Sequence, residues 1–218
     1  MRVGPASVLV SLALSAGACA DASERFKAFE DRRVALGGDA GATSSGLGGA
    51  DAGCQPPAPG VVAGPALLSL ETSTSPGAAI LFFGDLETPE LDGKTAVKFS
   101  YRALAVADRL TQVGEELVVG PYAIGDDGKF DAPTPESTLP GSANAILPGV
   151  DITSQLTLHG TICGVADFYC GTVTGTVSAP VQGDTTGNFG ITLVGSLDDL
   201  PARPRYGCDP EALAPALP

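Results

Sequence analysis

Apolar and polar residues alternate with a period of two along three segments of the chain, which is the pattern of a half-buried β-strand. Successive side chains of a strand point to opposite sides, so the apolar positions predict the inner face of a sheet. His159 falls among the polar positions of the second segment and is therefore expected on the outer face. The three predicted inner faces are Val97, Phe99, Tyr101 and Ala103; Val150, Ile152, Leu156 and Leu158; and Phe189, Ile191 and Leu193.

Further short apolar runs, separated by turn sequences rich in Gly, Pro and Asp, predict buried or edge strands. Only residues 103–113 have apolar positions spaced for one side of a helix, at Val106, Leu110 and Val113. Many short strands with almost no helix predict an all-β fold, an antiparallel β-sandwich, with a partly closed β-barrel as the alternative. The additional predicted strands are residues 66–72, 78–83, 117–124 and 172–178.

Composition divides the chain around this predicted β-domain, which we place at residues 54–200. Glycine supplies seven of the 17 residues from 37 to 53. Such a segment cannot bury enough apolar surface to offset its ordering entropy, so it is predicted to be a flexible linker. The residues before it, 21–36, are dense in charge. Residues 19–53 are therefore predicted to be a charged stalk followed by this linker. Residues 201–218 contain five prolines and are predicted to form an irregular tail held by Cys208.

The first 18 residues have the layout of a secretory signal: Arg2, then 13 small or apolar residues from 6 to 18, too few to span a bilayer. The segment ends in Ala16-Gly17-Ala18-Cys19, which resembles the lipobox of bacterial lipoprotein precursors. The resemblance implies cleavage before Cys19 and fatty acylation of that cysteine. The alternative is an ordinary secretory cut that releases a soluble protein.

The implied location is the bacterial cell envelope, at the outer membrane or in the periplasm. A multiply acylated cysteine holds a protein on a membrane, because each buried methylene contributes about 0.8 kcal/mol. The chain carries 12 basic and 25 acidic residues, a formal charge of −13. A nucleic-acid partner is excluded, since phosphate binding needs a basic surface. The predicted contact with the membrane is therefore made by the lipid on Cys19 and not by the acidic protein surface.

Four cysteines remain once Cys19 is assigned to lipid, an even number in a chain predicted to enter an oxidising compartment. Three pairings are possible. Cys163 and Cys170 are separated by six residues, a length that suits a hairpin loop, and we therefore predict that they pair. Cys54 and Cys208 are then predicted to join the two ends of the domain.

No catalytic motif occurs in the sequence, and no cofactor is predicted. His159 is the single histidine, and no Gly-x-Ser-x-Gly or Ser-x-x-Lys string accompanies it. A strand histidine that faces solvent is the simpler interpretation. We therefore do not predict an enzyme, and we keep a secreted hydrolase that uses acidic residues as an alternative.

The acidic cluster at residues 85–92 contains Asp85, Glu87, Glu90 and Asp92. Calcium takes six to eight oxygen ligands, so a calcium- or carbohydrate-binding module is a further alternative, although a solvated acidic loop accounts for the cluster. The second acidic string, at residues 126–128, is predicted to be a hairpin turn with Gly128 at positive φ. The leading prediction is an envelope lipoprotein that presents a disulfide-linked β-domain for binding or a structural role.

Overall fold

The computed structural model describes residues 54–216, which form one antiparallel sheet curled into a half-barrel. The all-β antiparallel prediction is confirmed. Of the two predicted arrangements, the single curled sheet corresponds to the partly closed barrel. Its strands are β1 (Ala63–Thr72), β2 (Ile80–Glu87), β3 (Glu90–Leu91), β4 (Lys94–Leu104), β5 (Gln112–Ala123), β6 (Lys129–Pro133), β7 (Ser137–Leu139), β8 (Ile152–Thr161), β9 (Phe168–Ala179) and β10 (Gly183–Leu193).

The sheet has two edges that approach each other without joining through a backbone ladder. The longer strands lie in the order β5-β4-β2-β1-β10-β9-β8-β6, and the short β3 and β7 pair with β4 and β8 respectively. A side-chain contact connects the edges, because the Tyr122 hydroxyl donates a hydrogen bond of 2.9 Å to the Pro133 carbonyl oxygen. A backbone hydrogen bond of 2.8 Å from the Val106 N–H to the Ser142 carbonyl oxygen links the β4–β5 connection to the loop after β7. The open side of the half-barrel is therefore bridged by isolated contacts rather than by paired strands.

Aromatic rings fill the interior between the two halves of the curled sheet. Phe99, Phe130 and Phe189 are all buried, and the ring centroids of Phe99 and Phe130 lie 5.9 Å apart. Gly160 makes room for them, since a Cβ at this position would lie 2.4 Å from the Phe130 ring and 2.8 Å from the Phe189 ring. Burying each such ring stabilises the fold by roughly 2–3 kcal/mol.

One end of the half-barrel is plugged. The disulfide Cys54–Cys163 lies there, with Ile124 and Ile162 buried at the same end. Gly128 has φ +76° in the predicted turn, and a Cβ on it would lie 2.2 Å from Cys54 Sγ. The predicted turn with Gly128 at positive φ is confirmed, but β5 and β6 do not pair with each other as the strands of a hairpin. This glycine also allows the disulfide to pack against the β5–β6 connection.

The segment after β10 covers the outer face of β1 and β2. Leu67, Leu81 and Leu104 point away from the interior and are buried, together with Ala214 at the end of the chain. The guanidinium carbon of Arg205 lies 3.9 Å from the centroid of the Phe168 ring. Apart from a bridge between residues 205 and 213, the part of the predicted tail that the structure describes is irregular, and it forms a second packed layer.

The predicted disulfide pairing is wrong: the bonds are Cys54–Cys163 and Cys170–Cys208. Cys170 alternates with the buried Tyr169 of β9 and therefore points outward, beside its cross-strand partner Gly190. The tail crosses directly above, since a Cβ on Gly190 would lie 2.3 Å from the Arg205 carbonyl oxygen. Cys170 thus meets the tail on the outer face, whereas Cys163 lies at the plugged end.

The helical pattern at residues 103–113 does not form a helix. Strand β4 continues to Leu104, and a turn around Asp108 leads into β5. Hydrogen bonds from the Thr111 hydroxyl and from the backbone N–H groups of Thr111 and Leu110 hold the turn and lower the pKa of Asp108 to about 2. Arg109 has φ 57°, a left-handed conformation that a helix interior does not tolerate.

Peptide mapping without reduction tests the disulfide assignment. Trypsin leaves Cys163 and Cys170 in one peptide, so a second cut at Phe168 or Tyr169 by chymotrypsin is needed to separate them. We expect one linked pair with Cys54 and Cys163 and another with Cys170 and Cys208. Each bond restricts the unfolded chain, and the chain-entropy model predicts that Cys54–Cys163 stabilises the fold by about 5 kcal/mol and Cys170–Cys208 by about 4 kcal/mol. A Cys163–Cys170 peptide would contradict the fold described here.

Candidate functional site

A cleft opens at the end of the half-barrel opposite the plug. Its volume is about 830 Å³, within the range of small-molecule sites. The ends of β1 and β9 and the starts of β2, β5, β8 and β10 surround it, together with the loop that follows β7. Its apolar walls include Leu70, Ile80, Phe82, Leu117, Leu139 and Leu156.

Apolar side chains at this end remain in contact with solvent. Phe82, Leu117 and Leu156 belong to the inner face but are only partly buried. Leu147 is 46% exposed and Val181 is 75% exposed, and both line the cleft. Large exposed apolar side chains gathered around a concave surface are typical of a binding site.

The loop at residues 140–151 forms one wall of the cleft and is held in place by Asn144. This side chain is fully buried. Its amide nitrogen donates to the Val150 carbonyl oxygen at 2.7 Å, and its oxygen accepts from the N–H groups of Ile146 and Leu147, both at 2.9 Å. The loop therefore presents Ile146 and Leu147 to the cleft from a preformed scaffold.

Tyr101 lines the cleft and carries a buried hydroxyl without a hydrogen-bond partner. The side chain is 1% exposed. Burial, with a smaller contribution from the Asp85 carboxylate, raises the pKa of Tyr101 well above its usual value, so the hydroxyl stays protonated. An unsatisfied buried hydroxyl costs about 1–3 kcal/mol, and such a group in a native structure calls for an explanation.

The charged residues that line the cleft are all acidic: Glu115, Glu116, Glu136, Asp151 and Asp184. Each is exposed. The Asp151 carboxylate accepts a hydrogen bond of 2.7 Å from the Gly141 N–H. The lining in the described chain includes no Lys, Arg or His, so the mouth of the cleft is negatively charged.

His159 lies outside this cleft, on the outer face that the alternation predicts. Its Nδ1 lies 2.6 Å from Asp131 Oδ1, and its Nε2 lies 2.9 Å from Thr174 Oγ1. The order of carboxylate, imidazole and hydroxyl is that of a hydrolytic triad. The row is exposed on the sheet surface, however, with the Asp131 side chain 76% accessible, whereas such a triad acts in a site that excludes water. Cross-strand pairing explains the row without a catalytic role.

The acidic residues at 85–92 are distributed over different elements rather than gathered in one loop. Asp85 and Glu87 lie in β2, Glu90 lies in β3, and Asp92 lies in the following turn. The Glu87 carboxylate binds Lys98 Nζ at 2.9 Å. Within residues 54–216, no group of three or more His, Cys, Asp or Glu side chains is placed to hold a metal ion.

Comparisons with protein families, with curated proteins and with solved structures found no match to this chain. The described residues contain no helix that is both long and apolar enough to cross a membrane. The predicted lipidation site, Cys19, and the predicted signal peptide, residues 1–18, lie outside the residues that the structure describes.

Replacing Tyr101 by phenylalanine tests whether its hydroxyl is unsatisfied. We expect Tyr101→Phe to raise the free energy of unfolding by about 1 kcal/mol, because the variant removes a buried polar group that has no partner. Chemical denaturation of the ligand-free protein measures the change.

Tyr169 provides the matched control. Burial raises its pKa to about 12, but its hydroxyl accepts from the Ala166 N–H at 3.0 Å and donates to the Gly164 carbonyl at 3.4 Å. Tyr169→Phe should therefore lower stability by about 1 kcal/mol. An equal loss in both variants would mean that the Tyr101 hydroxyl already has a partner.

Proposed function

We propose that residues 54–216 are the ligand-binding domain of an exported cell-envelope protein, and that the cleft binds a small, largely apolar molecule. The two disulfides are consistent with an oxidising extracellular or periplasmic location. The observation that carries the proposal is the open, largely apolar cleft, whose lining includes Tyr101, a buried side chain with an unpartnered hydroxyl. A ligand with a hydrogen-bond acceptor would satisfy this donor.

Binding accounts for the cleft better than catalysis does. The chain has a single histidine, and His159 lies on the outer face with Asp131 and Thr174. The four cysteines of the described domain are all in disulfides. A covalent mechanism needs a nucleophile with a base in hydrogen-bond reach, and the cleft lining supplies neither a thiol nor an imidazole.

The proposal includes a lipid anchor at Cys19, which places the domain at a membrane surface. Its support is the lipobox-like string that ends at this cysteine and the small apolar segment before it. Exposed apolar side chains around the cleft would then face a compartment rich in amphiphiles. An anchored domain of this kind serves to capture or present a ligand rather than to cross the bilayer.

Binding of a neutral apolar fluorophore, N-phenyl-1-naphthylamine, tests the cleft. We expect saturable fluorescence enhancement with the intact domain and at least a tenfold loss of affinity in Leu147→Asp, since a charged group would occupy the apolar wall. Fluorescence titration gives both affinities.

Leu110→Asp is the matched control, because Leu110 has the same 46% exposure as Leu147 but does not line the cleft. This variant should bind the fluorophore as the unaltered protein does. The proposal fails if the fluorophore does not bind, or if both variants weaken binding equally.

Intact mass spectrometry of the protein extracted from bacterial membranes tests the anchor. We expect a chain that begins at Cys19 with the added mass of a diacylglyceryl group and an amide-linked acyl chain. In Cys19→Ser these additions should disappear and the protein should leave the membrane fraction. A soluble, unmodified product from the unaltered gene would contradict the anchor but leave the cleft proposal standing.

A further inference from the structure

The charges around the cleft narrow the class of its ligand. The five acidic lining residues are contributed by β5, the β6–β7 connection, the segment before β8 and the start of β10, so they surround the opening from several directions. Within the described residues, none of them forms an ion pair with a Lys or Arg side chain. Their negative charge is therefore not neutralised locally.

We propose that the cleft binds a cationic amphiphile, with its apolar chain on the inner wall and its positive headgroup among the rim carboxylates. An oxygen acceptor near the headgroup or along the chain, such as an ester carbonyl, would accept a hydrogen bond from the Tyr101 hydroxyl. This inference rests on the proposed function and adds the charge and the polar group of the ligand.

Two independent features support this class. Leu70, Ile80, Phe82 and Leu156 supply an apolar wall that suits an alkyl chain. Among the described lining residues, the buried side-chain polar atom without a hydrogen-bond partner is the Tyr101 hydroxyl. The exposed carboxylates attract a cation and repel an anion. The net charge of the whole chain, −13, acts in the same direction. A fatty-acid anion would have to place its carboxylate among these groups.

Displacement of N-phenyl-1-naphthylamine by three dodecyl amphiphiles, all below their micelle concentrations, tests the charge preference. We expect dodecyltrimethylammonium to bind about tenfold more tightly than neutral dodecyl maltoside, and dodecyl sulfate to bind most weakly. The preference should shrink as salt rises from 20 mM to 500 mM, because exposed charges are screened. Equal affinities, or a preference for the sulfate, would overturn the inference.

Neutralising the rim tests which carboxylates matter. The triple variant Glu115→Gln, Glu116→Gln and Glu136→Gln should lose most of the preference for the cation while it keeps the affinity for dodecyl maltoside. The control triple variant carries Glu90→Gln, Asp126→Asn and Glu211→Gln, which are exposed residues that do not line the cleft. It makes the same change in net charge and should keep the preference. An equal loss in both would assign the effect to overall charge and overturn the site.

Two cationic ligands, one with an ester and one without, test the proposed hydrogen bond from the Tyr101 hydroxyl. Lauroylcholine carries an ester, whereas dodecyltrimethylammonium has no oxygen acceptor. Tyr101→Phe should weaken lauroylcholine binding about threefold to tenfold and leave dodecyltrimethylammonium unchanged. Equal effects on both ligands would remove the hydrogen bond from the proposal.

The failures of the two proposals are distinguishable. If N-phenyl-1-naphthylamine binds in a way that Leu147→Asp abolishes, the cleft is a binding site whatever the charge series gives. A series without a cation preference then rejects only the inference about ligand class. Absence of fluorophore binding rejects the proposed function and this inference together.

Discussion

The structure depends on a hydrogen-bonded sheet that curls far enough to enclose a core but does not close into a barrel. The ladder runs from β5 to β6, and the two edges meet through isolated contacts rather than through paired strands. At Gly114 the edges are so close that a Cβ would lie 3.1 Å from the Pro140 ring. The Cys54–Cys163 disulfide fills one end, whereas the other end, as formed by residues 54–216, stays open as a cleft of about 830 Å³. The cleft is the consequence of this unequal filling.

The local alternation of side chains predicts much of this fold. The predicted inner face of β4 is buried, from Val97 to Ala103, and Phe189 and Ile191 are buried in β10, because a strand with one solvated face must separate its apolar and polar side chains. The helical spacing at residues 103–113 was misleading, since Asp108 and Arg109 form a turn that joins two strands. The disulfide pairing depends on which face each cysteine occupies and on the path of the tail, which loop length does not specify.

The candidate site is predicted much less well. Alternation places Tyr101 inside, where it resembles any other core aromatic, and only the three-dimensional arrangement shows that its hydroxyl lacks a partner. Alternation also places His159 on the outer face correctly. It does not identify its partners, Asp131 and Thr174, because they lie 28 and 15 residues away in the sequence. The acidic residues of the rim are dispersed from 115 to 184, so no local cluster marks them.

The most direct test of the account is the position of a bound amphiphile in solution. Nuclear Overhauser effects should be recorded between the alkyl chain of lauroylcholine and the assigned side chains of the domain. The account predicts contacts from the chain to the Tyr101 ring and to the methyl groups of Ile80 and Leu156, all of which line the cleft. Contacts confined to the outer face, for example to Leu110 or to the tail around Tyr206, would contradict it.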